Sequence, residues 1–158
     1  MERIDMIFRH PEYQSSLKKL KEEEKERIFC RHDMQHFLDV ARIAYIFNLE
    51  RGYGLSKEMI YAAALLHDIG KWQQYRKGIP HEIASAEIAE LILMESGFVR
   101  EEREEILHAI RMHRKGEGTD ALSIVIYDAD KKSRSCYACE ACKECNWSKE
   151  KKNRRITV

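Results

Sequence analysis

Side chains able to hold a metal ion recur along this chain, near the ends of apolar segments. Leu65-Leu66-His67-Asp68-Ile69-Gly70-Lys71 closes an apolar run that begins at Ala62, and it places an imidazole beside a carboxylate. Neighbours on a helix point about 100° apart, so both cannot belong to one packed stripe. Burying either without a partner is costly, whereas neutral imidazole and carboxylate are donors for first-row metals. Taken alone, the pair reads equally well as a carboxylate capping its own histidine at a frayed helix end. Further residues of the same types are His36, His81, His113 and Asp130. Each alone reads as a surface or core-edge residue. Together they sit where helices packed into a bundle can converge.

Six helices are predicted to position them. The first runs from Pro11 to about Glu26 and is thin in apolar residues, which marks a surface helix without chemistry. Ile28 to Asp33 is a turn, with Asp33 a cap for a second helix that carries His36 and buries Phe37, Val40, Ala41, Ala44 and Phe47. It stops near Gly52. Ser56 opens the helix that ends at His67-Asp68, and Gln73 to Pro80 reads as a loop. A fourth helix runs from His81 to about Gly97 and a fifth from Arg100 to Lys115, where it carries His113. The sixth, capped by Thr119 or Asp120, extends through Asp130 to Lys132. Its run Ile124-Val125-Ile126-Tyr127 has strand propensity. Helix is preferred because no partner strand is visible elsewhere.

Composition bounds the function classes. The chain has 158 residues, enough for one domain with a core. Charged residues make up 35%, with only 2 prolines and 7 glycines, which favours helices over a sandwich or barrel. The formal net charge of +1 argues against a bulk electrostatic pull toward nucleic acid or membrane. No apolar run reaches membrane-spanning length, and Met1 to Asp5 has no signal-peptide character. The expected location is cytoplasmic, where the 5 cysteines serve as thiols or metal ligands rather than as a disulfide framework.

Three segments in order resemble the HD-domain metal-dependent phosphohydrolase superfamily. They are His36-Phe37-Leu38-Asp39-Val40-Ala41, Leu65-Leu66-His67-Asp68-Ile69-Gly70-Lys71 and Tyr127-Asp128-Ala129-Asp130-Lys131. The resemblance covers about residues 28 to 134. It implies an all-α HD-domain helical bundle; the shift to a short Cys-rich C-terminal tail after Ser133 divides the chain as 1–134 and 135–158. It also implies that His36, His67, Asp68 and Asp130 share one metal. A two-metal subset of the superfamily has a middle section similar to His81-Glu82-Ile83-Ala84-Ser85-Ala86 and Ala109-Ile110-Arg111-Met112-His113. On that likeness His81 and His113 join a second ion, with Asp68 bridging. The Gly-Tyr-Pro signature of cyclic-dinucleotide phosphodiesterases is missing after the last His. His32 lies four residues before His36, also a metal spacing. The resemblance favours His36 and leaves His32 as a supporting residue. Likewise it selects Asp130 over Asp128, and His108 is expected to face solvent.

Such ligation implies Fe, Mn, Co, Ni or Zn, as one or two ions, and a metal-activated hydroxide as the nucleophile. Asp68 and Lys71 are the catalytic candidates, the lysine as a cation for charge developing on phosphate or else a solvated surface residue. Arg111 and Lys71 are the substrate-binding candidates. Arg114 also flanks His113, and one arginine of the two is expected to face solvent. Cys136, Cys139, Cys142 and Cys145 recur every third residue, a spacing suited to wrapping a Zn ion or Fe–S cluster. The alternative is a helical tail of free thiols. Cys30 supplies a ligand if the tail folds back, leaving one tail cysteine out. Trp147 is a candidate anchor for the tail. The implied function is hydrolysis of a nucleotide or other small phosphate ester, with a homodimer admitted and nucleic acid and membrane not expected as partners. The alternative is a non-catalytic metal or redox sensor that binds nucleotide.

Overall fold

The computed structural model describes all residues, Met1–Val158, and is all-α. Eight α-helices follow one another: α1 (Glu2–Arg9), α2 (Pro11–Glu23), α3 (Met34–Arg51), α4 (Lys57–Leu66), α5 (Lys71–Lys77), α6 (His81–Glu95), α7 (Arg100–Met112) and α8 (Ala121–Lys132). Two 3-10 turns, Cys136–Ala138 and Glu140–Cys142, begin the tail. No helix is long and apolar enough to cross a membrane.

Helix α4 is the axis of the bundle. Met59, Ile60, Ala62, Ala63, Ala64, Leu65 and Leu66 are all buried, because α1, α3, α6, α7 and α8 each pack against it. A helix apolar on nearly every side can only sit inside such a ring. Its three successive alanines let the neighbouring helices approach closely. Helix α8 packs on α3 and α7 through Leu122, Val125, Ile126 and Ala129, so tertiary burial overrides its strand propensity.

Two helices depart from the sequence expectation. Lys71–Lys77 is helical, although Gln73 to Pro80 reads as a loop. Seven residues with one buried side chain, Trp72, display no apolar period; the helix is set by docking on α6 and by the left-handed Gly78 that ends it. Glu2–Arg9 has no counterpart in the prediction. It buries Ile4 and Ile7, one turn apart. Arg3 staples it to the body through Glu58 on α4 (2.7 Å) and Glu102 on α7 (2.6 Å), with its guanidinium 4.0 Å from the Phe98 ring centroid. Helix α2 also does more than line an edge. Tyr13 and Leu20 are fully buried, and its C-terminal neighbour Glu24 turns inward.

Candidate metal centre

Helix ends bring the predicted residues to one place. Asp33 caps α3 by accepting from the His36 backbone N–H (3.0 Å), which fixes His36 in the first turn. His67 stands at the C-terminus of α4, and Asp68 lies in the turn that re-enters α5. His81 opens α6, His113 ends α7 and Asp130 lies in the last turn of α8. Burying this many polar side chains together is unfavourable unless they are partnered or hold an ion.

Their ligand atoms form two groups that share one residue. Those of His36, His67, Asp68 and Asp130 all lie within 4.8 Å of one another, and so do those of Asp68, His81 and His113. The Asp68 carboxylate divides between them. Its Oδ2 stands 3.1 Å from His67 Nε2, while its Oδ1 stands 3.3 Å from His81 Nε2 and 3.5 Å from His113 Nε2. Asp130 Oδ1 lies 3.4 Å from His36 Nε2.

The outer ring nitrogens decide the tautomers. Nδ1–H of His67 donates to the Ala64 carbonyl (2.7 Å), that of His113 to the Ile110 carbonyl (2.6 Å) and that of His81 to Gln74 Oε1 (2.7 Å). The Ser133 hydroxyl donates to the Asp130 carbonyl (2.8 Å), so its oxygen is free to accept from His36 Nδ1 (3.2 Å). Every Nε2 therefore faces inward, the arrangement in which imidazole binds metal. His67 Nε2 and Asp68 Oδ1 are buried without a hydrogen-bond partner. His81 Nε2 and His113 Nε2 face each other at 3.2 Å. Two lone pairs at that distance need a cation or a proton between them. The donor set thus fits one or two divalent transition ions, the neighbouring carboxylates offsetting their charge.

Ionisation follows from burial and from these neighbours. Burial opposes the charge on Asp68, yet Lys71, His67 and His32 hold its carboxyl well below the ordinary range. Burial likewise opposes Asp130, which is held low by His67, Arg134 and Lys131. Burial, Arg134 and His67 push His36 well down. Burial pushes His81 down to about 3 against the pull of Asp68. His67 is the exception. Burial disfavours its charge, but Asp68 and Asp130 overcome this and raise it to about 9. Without metal, a second proton on His67 occupies the place between the carboxylates that a cation would take.

Several contributors are absent from the sequence reading. Glu24 accepts from the backbone N–H of His32 (2.6 Å) and from its Nδ1, and from the Tyr75 hydroxyl (2.7 Å). His32 Nε2 then faces Asp68 Oδ2 at 3.6 Å, so His32 stands beside the Asp68 carboxylate. Arg134 is buried, donates to Asp130 Oδ1 (3.0 Å) and reaches His36 Nε2 (3.3 Å). No local pattern marks either residue, because Glu24 sits in a Lys/Glu-rich helix and Arg134 among other bases. Asp128 is turned away and pairs with Arg51 (2.7 Å); His108 is exposed beside Asp120.

A cavity of about 200 Å³ opens over the centre, with Asp68, Asp130, His32, His81 and His113 on its floor. Room for on the order of six waters suits a phosphate ester better than a folded polymer. Arg27, Lys71, Arg114, Lys131 and Arg134 line it. Lys71 Nζ is 3.9 Å from Asp68 Oδ1, and Glu82 holds Arg114 (3.3 Å). Arg111 is exposed and outside the lining, so Arg114 is the arginine next to His113 that the geometry offers to a substrate. Residue 111 lies two positions before His113, about 200° around the helix, and faces solvent. Phe29, Cys30, Cys136, Cys145, Asn146 and Trp147 close the remaining wall, so the tail packs against the site.

The family model described as HD domain matches residues 33–135. The chain is 47% identical over 156 residues to an uncharacterized protein of Clostridium beijerinckii, covering 99% of each. It is also 32% identical over 104 residues to ribonuclease Y of Lawsonia intracellularis, which covers 65% of this chain and 18% of that protein. No solved structure matches.

Proposed function

The chain belongs to the HD domain family, and from that premise we propose that it is a metal-dependent phosphohydrolase acting on a nucleotide or another small phosphate ester. The observation that supports this best is the split Asp68 carboxylate, one oxygen toward each buried donor group, beneath a cavity walled by cations. His36, His67, Asp68 and Asp130 would hold one ion, and Asp68, His81 and His113 a second. When bound, such ions supply Lewis acidity toward a phosphoryl oxygen and acidify water to a pKa of about 7 at best.

The protein's own groups do the rest. Lys71, at the first position of α5, is oriented by Asp68 and meets the charge that builds on the phosphoryl oxygens. Arg114, steadied by Glu82, and Lys131 at the rim bind the anion. Glu24 holds His32 in the tautomer whose Nε2 lone pair faces the Asp68 carboxylate, so a cation held between them would tie His32 to Asp68. Trp147 and Phe29 offer aromatic surface to a base, which favours a nucleotide over a bare phosphate. The name of the Lawsonia relative points to phosphodiester chemistry on RNA. Here the small cavity and the near-neutral chain favour a small ester.

The test is a panel of nucleotides, dinucleoside polyphosphates and a generic aryl phosphate, with Mn²⁺ or Fe²⁺. Turnover of at least one class is expected, falling by on the order of 10³-fold in Asp68→Ala. Pure, metal-loaded protein that hydrolyses nothing on the panel would overturn the enzyme reading and leave the sensor. An Asp68→Ala variant as active as the parent would overturn the site.

A further inference from the structure

We propose that Cys30, Cys136, Cys142 and Cys145 form a separate thiolate centre on the cavity rim, which takes a thiophilic metal as a zinc ion or an iron–sulfur cluster and clamps the tail over the His/Asp site. The tail is not a helix of free thiols. The 3-10 turns Cys136–Ala138 and Glu140–Cys142 are separated by the extended backbone of Cys139 (φ −85°, ψ 121°). That break bends the chain so that Cys136 and Cys145 line the same cavity as Cys30, which lies more than a hundred residues earlier. Cys142 is held beside Cys145, their two carbonyls sharing the Lys152 ammonium. Cys139 lines the neighbouring groove with Cys30, Ser135 and Ala138 and not the cavity that Cys136 and Cys145 line, so it is the tail cysteine left out.

The backbone holds this arrangement independently of any metal. Lys152 Nζ donates to the carbonyls of Cys142 (2.7 Å) and Cys145 (2.9 Å). Arg27 Nε donates to the Cys30 carbonyl (2.8 Å). Asn153 Nδ2 ties the end of the tail to the carbonyls of Lys131 (2.7 Å) and Arg134 (2.9 Å). Lys152 and Arg27 would also offset the negative charge that four thiolates carry around a metal. All five cysteines are free and half-buried. Four free thiols from two tethered chain segments are a donor set for zinc or iron and a poor one for magnesium or calcium.

The full chain, purified anaerobically, is assayed for zinc, iron and acid-labile sulfide, and separately refilled with Co²⁺. We expect about one equivalent of zinc, or iron with matching sulfide, which persists in Asp68→Ala and Cys139→Ser. It falls at least tenfold in Cys136→Ser and Cys145→Ser. Refilled parent protein shows thiolate-to-cobalt charge transfer in the near ultraviolet, a signal that the His/Asp site cannot give and that needs no variant to fold. Sulfide with iron identifies a cluster, and zinc alone identifies a single ion. No charge-transfer band, with no zinc or iron beyond that lost in Asp68→Ala, overturns the proposal. So does a Cys139→Ser variant that loses as much metal as Cys136→Ser. Neither outcome touches the phosphohydrolase reading, whose test is turnover.

Discussion

On the proposed function, the imidazoles and carboxylates at the centre would exchange a proton for a metal ion. His67 is raised to about 9 by Asp68 and Asp130, so at pH 7.5 the metal-free protein carries a proton there that a cation must displace. Calorimetric titration of Mn²⁺ in buffers of different ionisation enthalpy is expected to show release of about one proton per first ion bound. Release near zero would mean that His67 is already neutral. The same groups shape stability without metal. His67 contributes fully below its unfolded value of about 6.5 and loses that contribution, about 3 kcal/mol, as pH rises through about 9. His81 is depressed to about 3, so its contribution is present above about 6.5 and is lost as pH falls toward 3. Metal-free protein should therefore be most stable near neutrality, and bound metal should remove the alkaline decline. Denaturant midpoints from pH 4 to 10, with and without metal, check this. The side chains that converge at the centre were legible because metal chemistry restricts residue type. Glu24 was not, since a carboxylate in a Lys/Glu-rich helix looks like every other solvated one until the fold shows it beneath His32. Glu24→Gln should weaken metal binding about 10- to 100-fold, with the far-ultraviolet spectrum unchanged, as a merely structural residue would not.

Among the elements, the short helix α5 matters most to function and was least visible in advance. It carries Lys71, Gln74, which fixes His81, and Tyr75, which fixes Glu24. Its place is set by Gly70, whose N–H donates to Ser85 Oγ on α6 (2.9 Å). A Cβ there would stand 2.4 Å from the Ser85 nitrogen and 2.5 Å from the Ala84 carbonyl carbon. Both are backbone atoms and cannot swing aside. Gly70→Ala is thus expected to cost about 1–3 kcal/mol and to part His67-Asp68 from His81. Thermal melts would register the loss of stability, and metal stoichiometry should fall from two toward one because the His81 group is the one displaced. The long helices were readable because their buried faces repeat over three or more turns. A seven-residue helix flanked by glycines offers no such repeat, and only the packing of α6 determines it.

Across the whole molecule, charge is balanced in number but not in place. The net charge is +1, yet five cationic side chains stand around a cavity whose acidic floor would be neutralised by bound metal. Metal loading would therefore convert a mixed pocket into a positive one that attracts anions. Composition conceals this, because Arg27, Lys71, Arg114 and the Lys131/Arg134 pair come from four separate parts of the chain and only folding gathers them. Attraction from solution is screened beyond a Debye length of about 10 Å at 0.1 M salt, whereas contacts inside the closed site are not. Raising salt from about 0.02 to 0.5 M should consequently raise KM for a nucleotide several-fold and leave kcat nearly unchanged. Lys131 is well placed to report on this, being half-exposed at the rim with its ammonium 2.6 Å from Asp130 Oδ2. Lys131→Met should raise KM at low salt and flatten the salt dependence, with less effect on kcat. If kcat falls with salt in the parent protein while KM stays nearly unchanged, the cations act on the reacting phosphate in the closed site rather than by drawing substrate toward it.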